Sequence, residues 1–327
     1  MVQKVTPTKR RTWGAFAIRW FTAVVLISLW CWFAGWMIGP FRQYARIAQV
    51  RVEISVQESS IAAFKLNYGV DPPSGLTLHS TKEGWDGDRK SRDAIRQLWP
   101  NFDFTTCGGL SNVPAHGIRL NGAECLVFFL GGVCDPASGI PIGFKKHLTQ
   151  PLLGGNGREH PLYEFDRKRL IDLDGDGYRE YLDPYPAQTK PYLYISSNEG
   201  SGYDLADLDG AMDDVYRQGS GADAEPWKPQ GFQIISPGID REYGYGGGYD
   251  PNNDELQRDQ QRKAEFDNLT NFSADVLVRV PSTFFSNDSL VFLSGSLLVA
   301  AVAAWFCWRK ICDRCDRFSR ACRDNAS

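Results

Sequence analysis

The chain has 327 residues, 43% of them hydrophobic and 23% charged, which suits one large domain or two small ones and excludes a disordered polypeptide. A formal net charge of -3 leaves no overall basic field to draw in nucleic acid. The charges are segregated: Lys4, Lys9, Arg10 and Arg11 open the chain, Arg309, Lys310, Arg314, Arg317, Arg320 and Arg323 close it, and acidic residues crowd the middle.

A basic leader, 1–19, precedes an uncharged stretch, 20–38, that reads WFTAVVLISLWCWFAGWMI. At about 1.5 Å per residue it reaches across most of a hydrocarbon core roughly 30 Å thick, and it predicts a transmembrane helix. No A-x-A cleavage site follows, so it reads as an anchor and not as a removed signal peptide. Gly39-Pro40 should kink or interrupt the helix. From Arg42 to Tyr68, Ile47, Val50, Ile54, Ile61 and Phe64 share one helical face, with Arg46, Gln49, Glu53, Gln57 and Lys65 opposite. Gly69 supplies the stop, and Pro72-Pro73 forbids resumption.

Thr81 to Lys90 is polar and irregular, and Ser91 to Trp99 predicts a short helix capped by Ser91. Asn121 to Glu124 has capping-box spacing ahead of an apolar run that predicts a short buried helix. Asp135 to Arg158 is rich in Gly and Pro and predicts a loop. Tyr192 to Ser196 and Gly231 to Ser236 predict strands. Cys107, Cys125 and Cys134 are an odd number, so disulfides are not the framework of this region. A second apolar stretch, 289–308, predicts another transmembrane helix ahead of a basic tail, 309–327. Cys312 and Cys315 form a C-x-x-C there, read as reduced cysteines and not as a metal site. The basic clusters at both ends place the termini in the cytoplasm of a bacterium and region 39–288 in the periplasm, with the inner membrane between them. The fold class expected is α+β, with a long membrane-anchored helix packed on a small antiparallel sheet, loop insertions and a C-terminal transmembrane helix.

The most specific chemical signal is Asp172-Leu-Asp174-Gly-Asp176-Gly177-Tyr178-Arg-Glu180-Tyr-Leu-Asp183. Calcium wants six to eight oxygens, and a twelve-residue loop supplies them from alternate positions with glycine at the sixth. Asp172, Asp174, Asp176, the Tyr178 carbonyl, Glu180 and Asp183 fall at those positions, with Asp where Glu usually closes the loop. A solvated acidic turn held by Asx hydrogen bonds is the other reading; the mutual repulsion of so many carboxylates favours calcium. Asp204, Asp207, Asp209, Asp213 and Asp214 lack ligand spacing and read as a solvated loop. The turn from Ser236 to Gly244, carrying Asp240, stays open on its chemistry. His79, His116, His147 and His160 are scattered, and neither G-x-S-x-G nor H-E-x-x-H occurs. The expectation is a non-enzymatic protein with no small-molecule substrate.

Several stretches, in order, resemble the major pseudopilin of type II secretion systems, a member of the type IV pilin-like superfamily. Ala45-Arg-Ile-Ala48 through Glu58 to Pro72 resembles that family's helix end. Leu182-Asp183-Pro184-Tyr185 with Pro191-Tyr192-Leu-Tyr194 resembles its D-P-W-G-N-P-Y strand start. Phe232-Gln-Ile-Ile-Ser236-Pro-Gly238-Ile-Asp240 resembles its Y-S-L-G-A-D-G strand and loop, and Asp267-Asn-Leu-Thr270-Asn271-Phe272 its closing D-I-T-N-W. The resemblance covers about 42–273, with about 81–170 an insertion. It implies a structural subunit of a secretion or pilus-like machine, other secretion-system inner-membrane proteins and membrane lipid as partners, a second calcium loop at Asp240, and prepilin-type cleavage after Gly14. Arg19 stands where the family has glutamate, and extracting a second span would cost on the order of 5 to 10 kcal/mol, which favours a membrane-resident relative over a filament subunit. The alternative is a membrane-anchored calcium-binding envelope module for adhesion or sensing.

Overall fold

A computed structural model describes residues 12–110, 113–114, 116–135, 137–219, 224–253 and 255–278. The chain divides into two compact units, one of Met1–Tyr44 with Pro281–Ser327 and one of Ala45–Val280. Residues 1–11 of the expected leader, the expected span 289–308 and the tail 309–327 lie outside the described residues.

Helix α1 runs from Thr12 to Tyr68. It continues through Gly39 and Pro40 without interruption, where the sequence predicts a kink or a brief interruption. Among the described residues, no helix is long and apolar enough to cross a membrane. This overturns the expected membrane anchor at 20–38. The two-span fold and the inner-membrane placement with a periplasmic middle both rested on membrane-crossing helices, so they fall with this finding.

In the larger unit the remaining elements follow in order as β1 (Leu76–Leu78), α2 (Lys82–Gly87), α3 (Arg89–Leu98), β2 (Ile118–Leu120), α4 (Gly122–Gly131), β3 (Leu170–Ile171), β4 (Glu180–Tyr181), β5 (Leu193–Ser196), β6 (Tyr216–Gln218), β7 (Phe232–Ser236), β8 (Gly247–Tyr249), α5 (Glu255–Arg258) and β9 (Leu269–Thr270). The centre is a three-stranded antiparallel sheet in the order β5-β7-β9, with Tyr194 opposite Ile234 and Ile235 opposite Thr270. Side chains alternate across a strand, and here the alternation divides two cores. Tyr192, Tyr194, Ile234 and Leu269 join Val50, Ile54, Ile61 and Phe64 of α1 on one side, while Leu193, Ile195 and Ile235 join Leu208, Val215, Tyr243 and Tyr249 on the other.

The amphipathic reading of α1 is met at Val50, Ile54, Ile61 and Phe64, all buried; Gln57, placed by the pattern on the polar face, is buried as well. Gly69 ends the helix at φ +83°, its N–H bonded to the Lys65 carbonyl at 2.7 Å. Glu53 on α1 accepts two hydrogen bonds from Arg169, both at 2.9 Å, and one from the Tyr192 hydroxyl at 3.0 Å. Asn271 completes the sheet edge with its side chain, accepting from the Ile234 N–H at 3.0 Å and donating to Glu58 of α1 at 3.1 Å.

The inserted region is no peripheral loop. Trp85, Ile95, Leu120, Cys125, Leu126 and Phe129 are buried in the same core as α1, and β2 pairs with β1 just after the helix end. A regular helix, α2, occupies most of the stretch read as irregular, and α3 is capped by Asp88, whose carboxylate accepts from the Ser91 N–H at 3.1 Å. Helix α4 has the capping box its spacing predicts, with Asn121 and Glu124 exchanging side-chain-to-backbone hydrogen bonds at 3.1 and 2.8 Å. Every residue of α4 is buried.

Candidate metal centre

Pairing of Leu170 with Tyr181 and of Ile171 with Glu180 closes β3 and β4 into a hairpin whose tip is the aspartate-rich loop. Backbone amides organise its carboxylates. Asp172 accepts from the N–H groups of Gly175 and Gly177 at 2.8 and 3.1 Å, Asp174 from Asp176 at 3.2 Å, and Asp176 from Tyr178 at 2.7 Å. Gly175 and Gly177 adopt φ of +80° and +96°, a region that favours glycine. These Asx bonds suit the solvated-turn reading as well as the calcium reading, so the decision lies with what faces the loop.

Glu124, the third residue of α4, faces it. One carboxylate oxygen each from Glu124, Asp174 and Asp176 lies within 4.8 Å of the others. Two oxygens held about 2.4 Å from one calcium ion stand at most about 4.8 Å apart, so the spacing suits a shared hard cation. The Glu124 side chain is held well above its ordinary carboxylate range, at about 8, by burial and then by the charges of Asp176, Glu180 and Asp174. Burial, with Asp174 and Asp172 nearby, also raises Asp176. Glu124 and Asp176 line a cleft of about 500 Å³, in company with Phe128, Cys134, Arg158 and Tyr178.

The other loop positions are used differently. Glu180 is buried behind the loop, accepts from the Leu173 N–H at 3.2 Å, and is pushed up to about 7 by burial and by Asp174 and Asp172. The Tyr178 ring packs edge-on against Phe128 at 5.9 Å. Asp183, expected to close the loop, is turned away from it into the sheet. Its carboxylate accepts from Ser236 Oγ at 2.6 Å, Gln188 Nε2 at 2.9 Å and the Tyr185 N–H at 3.0 Å. A β-hairpin replaces the helix that follows a twelve-residue calcium loop, so Glu180 falls within β4 and Asp183 beyond the strand's end, where Ser236 of β7 holds it. Glu124 itself was legible only as a cap; nothing in the local spacing connects it with residues so far along the chain.

The Asp240 loop is a separate cluster. Asp240 and Ile239 donate their N–H groups to the Asp267 carboxylate, at 3.1 and 2.5 Å, while Asp240 accepts from the Glu242 N–H at 2.9 Å. Burial and the Asp267 charge push Asp240 up to about 6. Gly238, at φ +69°, lies so close to Asp267 that a side chain there would collide with it. Asp207, read as part of a solvated loop, is buried and accepts from Ser74 Oγ at 2.8 Å and Arg119 Nη2 at 3.0 Å. His79 is buried beside Asp88 at 3.3 Å, His116, His147 and His160 are exposed, and Cys31, Cys107, Cys125 and Cys134 are free thiols. Gly14 lies within α1. No protein-family model matches the chain, and no curated protein or solved structure matches it.

Proposed function

We propose that the chain is a pseudopilin-like, non-enzymatic structural subunit of a type II secretion or pilus-like machine, its domain stiffened by calcium at the β3–β4 loop. What supports this reading is the sheet: the stretches that resemble the pseudopilin pattern fall on the end of α1, on β5, on β7 with its following loop, and on β9, and those strands form one antiparallel sheet packed on α1. Calcium is supported by an all-oxygen donor set, which suits hard cations and not zinc or copper. The function is to present a rigid surface to neighbouring subunits, and the ion prevents the acidic loop from flying apart. Cross-linking the protein in the cells that make it and identifying the adducts tests the proposal. Secretion or pilus-machine components should be enriched; their absence from repeated cross-linking rejects it.

A further inference from the structure

Resting on the calcium reading above, we infer that Glu124 of α4 is itself a cation ligand, joining Asp174 and Asp176 so that one divalent ion clasps the inserted helix to the β3–β4 hairpin. The argument begins with an oxygen. Glu124 is 1% exposed, its Oε2 takes the Asn121 N–H, and its Oε1 has no hydrogen-bond partner among the described residues. A buried, unsatisfied carboxylate oxygen is costly.

The groups nearest this oxygen make its position worse. The charges that weigh most on Glu124 belong to Asp176, Glu180 and Asp174, and like charges gathered around a buried carboxylate require a proton or a cation. A proton would satisfy Glu124 alone and leave Asp174 and Asp176 repelling each other. A divalent ion answers all three at once, at the separation already described. The position on the helix also favours an ionised Glu124, because the first turn presents the positive end of the helix dipole. The cleft beside it, into which Asp176 and Glu124 both open, gives an ion a path from solvent and room to keep bound waters as further ligands.

Thermal melting of the purified, EDTA-treated full chain in increasing calcium chloride tests this. The wild type should melt at a rising temperature, since a ligand bound only by the folded state stabilises it. Glu124→Gln keeps the cap and the shape but offers a neutral oxygen; it should lose most of the rise and need at least about tenfold more calcium, while melting in EDTA no lower than the wild type. Glu124→Asp retains the charge and withdraws the oxygen, and should weaken calcium binding similarly, which keeps the test decisive if the glutamine variant fails to fold. A rise undiminished in both variants but abolished by Asp174→Asn overturns the role of Glu124 and leaves calcium in the loop. No rise in the wild type overturns both.

Discussion

Glu53 sits on the part of α1 that carries the sheet, and its carboxylate gathers Arg169 and Tyr192 from two different strand regions. Only 15% of the Glu53 side chain and 19% of the Arg169 side chain are exposed. Replacing Glu53 with alanine leaves a mostly buried guanidinium without its bidentate partner, and removal of one member of such a pair costs about 3 kcal/mol. Urea denaturation of Glu53→Ala should show a loss of that size. Asp207 supplies a second residue-scale test, with pH as the variable. Burial raises its pKa, with Ser74, Lys90 and Arg119 pulling the other way. A carboxyl raised on folding contributes stability that is present below the unfolded pKa and is lost as pH rises through the folded one. Arg119→Met removes one of the opposing cations and enlarges that loss. Because Arg119 is half exposed, the added cost should be about 1 kcal/mol near neutral pH and vanish toward about pH 4, measured as the urea midpoint at each pH.

At the scale of elements, α4 is the joint between the inserted region and the sheet. Its first residue, Gly122, passes so close to the Tyr194 carbonyl that a methyl group there would collide with the backbone of β5. Asn121 and Glu124 satisfy the helix start reciprocally. Asn121→Ala should therefore cost about 1 kcal/mol by urea denaturation, and Gly122→Ala more than Asn121→Ala, because backbone on both sides has to move. The capping box and the apolar run were readable from the chain because both are local: a cap is decided within one turn, and the six apolar residues from Cys125 to Leu130 ahead of Gly131-Gly132 decide a buried helix. The hairpin was partly readable in the same way. Its aspartate spacing was plain, but strand pairing at β3 and β4 took Asp183 away from the loop and turned Glu180 into the interior.

For the larger unit as a whole, Ala45–Val280 contains both cores and the central sheet. A fragment of these residues should therefore fold alone and show a cooperative calorimetric transition; a fragment lacking one would show that the unit depends on the rest of the chain. The amphipathic period of α1, its glycine stop, β5 and β7 and the acidic loop all follow from the order of residues, because each depends on neighbours a few positions away. Glu124 meeting Asp174 and Asp176, Glu53 meeting Arg169, and the burial of Gln57 and Asp207 depend on segments far apart along the chain being packed together. Hydrophobic periodicity says which face is covered but not what covers it, and a charge pattern says how many carboxylates are near in sequence but not which distant one completes the cluster. That is why the sheet-bearing helix was legible from the residues alone, while the packing of Glu124 against the acidic loop was decided by the fold.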